Sequence, residues 1–429
     1  MTDHPPHRRG RRRRTAAWAL VAVLTVGAVV WRFGPQADRT DANPISPPAG
    51  SVRTVPFDPS RRPSPGRSSW TPWPQALHDA RHSGSSTVTG PRRGVVAWHR
   101  HLSDGAVPGG PVLGRDGTIY VVDSGGTLHA VRPEDGKDRW SVDTGAPVSG
   151  DLSVSPLVLP DGDVVAGTGE GLAAWSPAGK RRWAVPLGDS LTSPTTVDGR
   201  RIYVGSTSGQ LYAVDVGVGT AARAWRLDLG IGQSYGSVVA DGKGRIYQTS
   251  TVGVVAVDDD NGRPTIAWRT DAHDGLVEVS PGLSPTGTVL LGTNGEQEWA
   301  YRRDGTVLWK APRNITYSSP SVTEDGLAYV GEHNDRVHVF DVADGREVGL
   351  FPTTVTEVDG KTRVWTSVVV DATHAFFFAT RTHYLVGVRP DGTRLFTTDL
   401  GASTSSYPAL TGDHAVVIGT DDGDLVKVH

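Results

Sequence analysis

The sequence predicts an all-β protein, an eight-bladed β-propeller carried on an N-terminal transmembrane helix. Three observations predict it: an aromatic residue recurring every 41 to 45 positions, short β-rich runs between Asp-Gly and other Gly turns, and one uncharged apolar run near the N-terminus. Trp stands at 98, 140, 183, 225, 268 and 309, and Phe351 and Phe396 continue the series. A second series runs in step, a small residue plus Pro or Gly opening an apolar run: Gly110-Pro111, Ser155-Pro156, Ser193-Pro194, Tyr235-Gly236, Ser280-Pro281, Ser319-Pro320, Ser367-Val368 and Tyr407-Pro408.

Within each period the runs are rich in Val, Ile, Tyr and Leu, as in PVLGRDGTIYVVDSGGTLHAVRPEDGKDRW, ending at Trp140. Gly takes the φ > 0 position of a tight turn without steric cost, so such runs pair as hairpins. A helical solenoid would need a 3.6-residue period and far less Gly and Pro than the 53 and 30 present. The final copy ends after TGDHAVVIGTDDGDLVKVH without an aromatic strand, whereas Trp98 precedes the first opening with no blade of its own. The Trp98 strand therefore completes the last blade and closes the ring, which removes exposed edges. Eight blades follow from eight anchors; seven is the alternative, because the sixth and seventh copies end in Phe351 and Phe396 and not in Trp. The anchors Trp98, Trp140, Trp183, Trp225, Trp268, Trp309, Phe351 and Phe396 read as apolar wedges between adjacent blades.

Ahead of the repeats, six Arg lie between Arg8 and Arg14, and an uncharged run TAAWALVAVLTVGAVVW follows to Trp31. Such a run, at the short limit of a membrane span and bracketed by Trp, predicts a signal anchor over 15–33. The basic tail 1–14 then stays cytoplasmic and the rest of the chain is extracytoplasmic. A cleaved signal peptide is the alternative; no small-x-small cleavage site follows the run. Residues 34–69 are rich in Pro, Ser, Arg and Asp without periodicity and read as a disordered linker. The propeller is expected over 70–429.

Composition narrows the function. The chain has no Cys, which removes disulfides, thiolate sites and a lipidated N-terminal Cys. Residues 70–429 hold 31 basic and 42 acidic side chains, so nucleic acid is not an expected partner. Gly232 to Gly236 spells G-x-S-x-G, but no helix follows it, and it reads as a strand opening. Asp258 to Gly262 and Asp421 to Asp424 resemble fragments of calcium loops and read as turns. The pairs His78/His82 and His99/His101 have chelating spacings without a third ligand. Loops before the openings converge on the propeller axis, so Gln233, Tyr235, Glu278, Tyr317, Trp365 and Tyr407 form the candidate ligand ring.

The segments AVRPEDGKDRW (Ala130 to Trp140) and Leu211-Tyr212-Ala213-Val214-Asp215, with the lead-in WPQALHDARHSGSS (Trp73 to Ser86), resemble the pyrroloquinoline-quinone-like (PQQ-like) propeller repeat family. The resemblance implies an eight-bladed ring with one of two roles. Quinoprotein dehydrogenases of this kind hold PQQ and Ca²⁺ under a vicinal Cys pair, which this chain lacks. The propeller lipoprotein of the outer-membrane β-barrel assembly machinery binds proteins and carries no cofactor, though its lipidated Cys is also missing here. The expectation is a monomeric, membrane-tethered scaffold for a protein or cell-wall partner, with no cofactor and no metal. A PQQ- and Ca²⁺-dependent oxidoreductase, or a propeller enzyme acting on carbohydrate, is the alternative.

Overall fold

The computed structural model describes residues 72–145, 154–271, 277, 279–294, 297–312, 318–332, 336–352 and 364–429. The apolar run 15–33 lies outside these residues, and no described helix is long and apolar enough to cross a membrane. Eight four-stranded antiparallel sheets form an eight-bladed β-propeller. Blade 1 consists of Val112–Leu113, Ile119–Val122, Thr127–Val131 and Asp138–Asp143, from the axis outward. Blade 8 pairs Asp424–Val428 with Val96–His101, so the Trp98 strand closes the ring as the sequence implies. The loops entering the innermost strands, and the turns between second and third strands, define the upper end. The remaining turns define the lower end.

The 43-residue period has a packing cause. In five blades an Ala of the third strand lies opposite the Trp of the outermost strand, as Ala130 does to Trp140 and Ala256 to Trp268. A β-bulge follows at the next residue, and the small Ala leaves room for the indole. Each indole then meets the following blade. Trp98 Nε1 donates to the Pro133 carbonyl (3.0 Å), Trp140 to Pro177, Trp268 to Arg303 and Trp309 to Val342 (2.8 Å each). The Gly in that following turn lies against the ring face; a Cβ on Gly305 would stand 2.8 Å from Trp268 and one on Gly345 2.6 Å from Trp309. The Ala130-x5-Gly136-x3-Trp140 segment thus carries parts of two clamps, Gly136 against Trp98 and Ala130 opposite Trp140.

Two anchors depart from this pattern. Phe396 keeps the register, and Gly94 of the closing segment takes the place of the turn glycine against its ring. Phe351 stands two residues beyond the register, where Gly349 occupies the Trp position. Side chains two apart share a sheet face, so Phe351 fills the same space and packs on Phe376 of blade 7 at 5.1 Å.

The lead-in plugs the lower end of the axis. Its carbonyls accept, in turn, the N–H at the end of each innermost strand they pass: Trp73 from Leu113, Pro74 from Val158, Ala80 from Ala240, Arg81 from Leu283 and Gly84 from Val370. Gln75 serves blade 3 through its side chain, accepting from Thr196 N and donating to Thr196 O, both at 3.0 Å. Arg81 pairs with Glu324 of blade 6, and Thr89 meets His414 of blade 8. Segment 72–90 therefore touches all eight blades. Leu77, His78 and His82 hold left-handed backbone there, each costing about 1–3 kcal/mol. Those carbonyl contacts, and the burial of Trp73 and Leu77, hold it in place.

Candidate functional site

At the upper end, the loops entering the innermost strands bring one residue per blade into an axial circle: Gly110, Ser155, Ser193, Ser237, Ser280, Ser319, Ser367 and Tyr407. The serines are buried, and four of them accept from the backbone of a neighbouring blade, whereas Ser155 Oγ has no partner. Ser193 Oγ accepts from Ser155 N, Ser280 Oγ from Ser237 N, Ser319 Oγ from Ser280 N and Ser367 Oγ from Ser319 N, at 2.8–3.1 Å. Ser406 Oγ closes the seam by donating to Gly109 O (2.8 Å). This hydrogen-bonded circle explains the repeated Ser-Pro openings. It also moves the blade 4 opening from Tyr235-Gly236 to Ser237, two residues later.

The candidate ring divides on that register. Tyr235, Glu278, Tyr317 and Trp365 all lie two residues before the circle in sequence, whereas Tyr407 belongs to the circle and Gln233 lies further out. Glu278 and Tyr317 are outside the described residues. Tyr235 is half-buried and its hydroxyl donates to Gln233 Oε1 (2.8 Å). Trp365 is half-buried beneath the exposed Arg381, whose guanidinium carbon lies 4.8 Å from the ring centre. His383 and Tyr384 add a second ring pair, 4.0 Å apart, on the same turn of blade 7. Trp299 of blade 5 carries Lys310 at 5.2 Å. The upper end thus presents half-exposed aromatic rings fixed by polar or cationic partners.

Two buried histidines occupy the same position in blades 1 and 6. His129 lies 3.3 Å from Asp123 and 3.4 Å from Asp138; His338 lies 3.2 Å from Glu332 and 2.6 Å from Glu347. Burial would lower the His129 pKa, but hydrogen bonds to Asp138 and Asp123 outweigh it and raise the pKa. Burial would likewise raise the Asp123 pKa, yet the Thr127 N–H and His129 hold it below the carboxylate range. Sequence reading missed both sets, because their acids are contributed by two other strands. His99 and His101 also find a carboxylate the sequence did not supply: Asp424, across the closing strand pair, at 2.7 and 2.8 Å. His82 is buried without a partner for Nδ1, and burial lowers its pKa to about 4.

Ser234, the centre of G-x-S-x-G, is buried and donates to Thr249 O, so it is a structural hydroxyl. Asp258 to Gly262 closes the outer hairpin of blade 4, and Asp421 to Asp424 turns between strands of blade 8. Among the described residues no group of three His, Asp or Glu side chains could hold a metal ion. Four of the described axial serine hydroxyls accept from backbone, and as neutral groups the axial serines supply no charged donor set for a Ca²⁺-bound quinone.

Solved structures share the fold at low identity. A quinohemoprotein alcohol dehydrogenase from Comamonas testosteroni aligns with TM-score 0.66 and 15% identity, over 84% of this chain and 81% of that one. The outer-membrane assembly protein BamB from Moraxella catarrhalis aligns with TM-score 0.59 and 14% identity, over 78% and 99%. The computationally designed protein Ika8 aligns with TM-score 0.63 and 12% identity, over 78% and 100%. No curated protein sequence matches the chain. The profile of the PQQ-like repeat family described as outer membrane protein assembly factor BamB matches residues 83–178 and 168–429, nearly the whole propeller. On that coverage the chain belongs to this family.

Proposed function

We propose that the protein is an extracytoplasmic propeller, tethered by its N-terminal helix, that holds a protein or cell-envelope partner on its upper end as a scaffold or assembly factor. The observation that carries this is the set of half-exposed rings Trp365, Tyr235, Tyr384 and Trp299, each held by a polar or cationic neighbour. Rigid Trp, Tyr and Arg side chains bury large area at small entropic cost, and they dominate protein interfaces. The plug below the axis directs binding to the upper end. The basic residues before the apolar run support the orientation.

The test is a photo-crosslinking residue at Tyr235 or Tyr384 in intact cells, with Lys243 on the lower end as control. Adducts at the upper positions that disappear with Arg381→Glu are expected. Equal adducts at Lys243, or none anywhere, would remove the reading.

A further inference from the structure

The plug beneath the axis is fastened at many points and weakly at each. Segment 72–90 joins no strand; two isolated bridges, Gln75 to His78 and Ser85 to Val370, are its ladder contacts. Within it, turns carry the chain across the axis: His78 N–H donates to Gln75 O, His82 N–H to Asp79 O and Gly84 N–H to Leu77 O. Leu77, His78 and His82 lie at φ +48°, +85° and +53°. Bulky side chains seldom adopt that backbone, so the blades impose it on the segment.

Two of its side chains are histidines set where a charge is unwelcome. His82 is 1% exposed and its Nδ1 has no hydrogen-bond partner. A proton there would be a buried donor with nothing to accept it. Burial lowers the His82 pKa to about 4, against Asp79 and a hydrogen bond to the Pro281 backbone of blade 5, which favour the cation. His78 is half-buried, its Nδ1 3.1 Å from Ser83 Oγ and its ring 5.0 Å from that of Trp73. Burial lowers its pKa too, against Asp79 and with Arg81. The Asp79 carboxylate is already engaged by Arg81 N and Ser83 N, at 3.0 Å each, and by the Arg81 guanidinium at 3.2 Å. Arg81 also pairs with Glu324 of blade 6. At the far end, Asp371 of blade 7 accepts from Gly90 N and Arg92, and His414 of blade 8 meets Thr89.

We propose that segment 72–90 is an acid-released plug: with His78 and His82 neutral it seals the lower mouth of the axis, and protonation of the two rings frees it from the blades. Once released and solvated, the histidines return to an ordinary pKa of about 6.5. A histidine whose pKa is depressed in the closed form supports that form above pH 6.5 and opposes it as pH falls. Each ring therefore raises the released fraction by at most about tenfold per pH unit below 6.5. With a closed-form pKa of about 4, His82 alone gives roughly fifty-fold between pH 7 and 4.5. Burial would raise the Asp79 pKa, but Arg81, His78 and the two N–H groups lower it on balance, so Asp79 keeps its charge through that window. The device is independent of what the upper end binds.

The chain has no Cys, so one introduced thiol reports on the plug alone. Ala76→Cys, at a buried position of the plug, is labelled with 4,4′-dithiodipyridine in the full chain in detergent between pH 7 and 4.5. Each rate is divided by that of the urea-unfolded protein at the same pH. Ala80→Cys serves if Ala76→Cys misfolds, and Ala300→Cys, buried in blade 5, reports opening of the ring itself. The expected result is a rise of at least about twentyfold at the plug thiol as pH falls, with Ala300→Cys still protected. Asn tolerates left-handed backbone, so His78→Asn with His82→Asn keeps the turns and should flatten the rise to below about threefold. A flat rate at the plug thiol, an equal rise at Ala300→Cys, or an undiminished rise in the Asn variant overturns the proposal. The first two readings need no histidine variant and stand if that variant misfolds.

Discussion

Replacing Gly305 by Ala tests the interblade clamp with a matched control. Gly305 has φ +89° and an added Cβ would lie 2.8 Å from two ring carbons of Trp268. Carbon atoms settle at about 3.5–4.0 Å, so the indole must withdraw by roughly 0.7–1.2 Å. The left-handed backbone costs a β-carbon about 1–2 kcal/mol. Overpacking adds about 1–3 kcal/mol, and disturbing the Trp268 bond to Arg303 adds about 1 kcal/mol. The sum is about 3–6 kcal/mol. Gly326 has nearly the same φ, +84°, but no atom within 4 Å of its Cβ position. Gly326→Ala should therefore cost only the backbone part, about 1–2 kcal/mol. Urea unfolding of the full chain in detergent, followed by far-ultraviolet circular dichroism, reads the difference. Equal losses in the two variants would refute the clamp as the reason for the Gly-x3-Trp spacing.

Ser319→Ala leaves the buried Ser280 N–H without an acceptor and should cost about 1–3 kcal/mol in the same unfolding measurement. Trp309→Phe removes the donor to the Val342 carbonyl and should destabilise by about 1 kcal/mol beyond its area loss; Trp225→Phe, which removes an unpartnered N–H, should lack that added cost. The His129 set predicts a pH window. The His129 pKa lies above its ordinary 6.5, so its contribution is full below about pH 6.5 and fades as pH rises through the folded value. The Asp123 pKa lies below 3.8, so its contribution is present above that pH and is lost on further acidification. The stability difference between wild type and His129→Gln should peak between about pH 4 and 6.5, as measured by urea midpoints from pH 3 to 9.

The blades were legible in the sequence because each repeats the same solution to the same packing problem. An indole needs a small residue opposite and a glycine above it, and both requirements are met again at Trp140, Trp268 and Trp309. Where the solution changes, the reading slipped. Phe351 fills its space from two positions away, and the Ser237 opening of blade 4 lacks the proline that marks Ser193 or Ser280. The upper end was half legible. Tyr235 and Trp365 occupy the register that the openings imply, but their partners Gln233 and Arg381 are set by loop geometry. The lead-in resembled a family segment, yet nothing in its composition tells that its carbonyls pass from blade to blade beneath the axis. The His129 and His338 sets join three strands each, and spacing along one chain does not reveal such convergence.

The most direct test of the scaffold account sets the upper-end crosslink against the cofactor in one preparation. Full-length protein carrying a photo-crosslinker at Tyr235 is irradiated in cells, purified in detergent, and titrated with PQQ and Ca²⁺ while Trp fluorescence is followed against a heat-denatured control. The account predicts a discrete adduct that Trp365→Ala abolishes, together with a flat titration. Saturable micromolar quenching with no adduct at Tyr235 would contradict it and return the propeller to quinone chemistry.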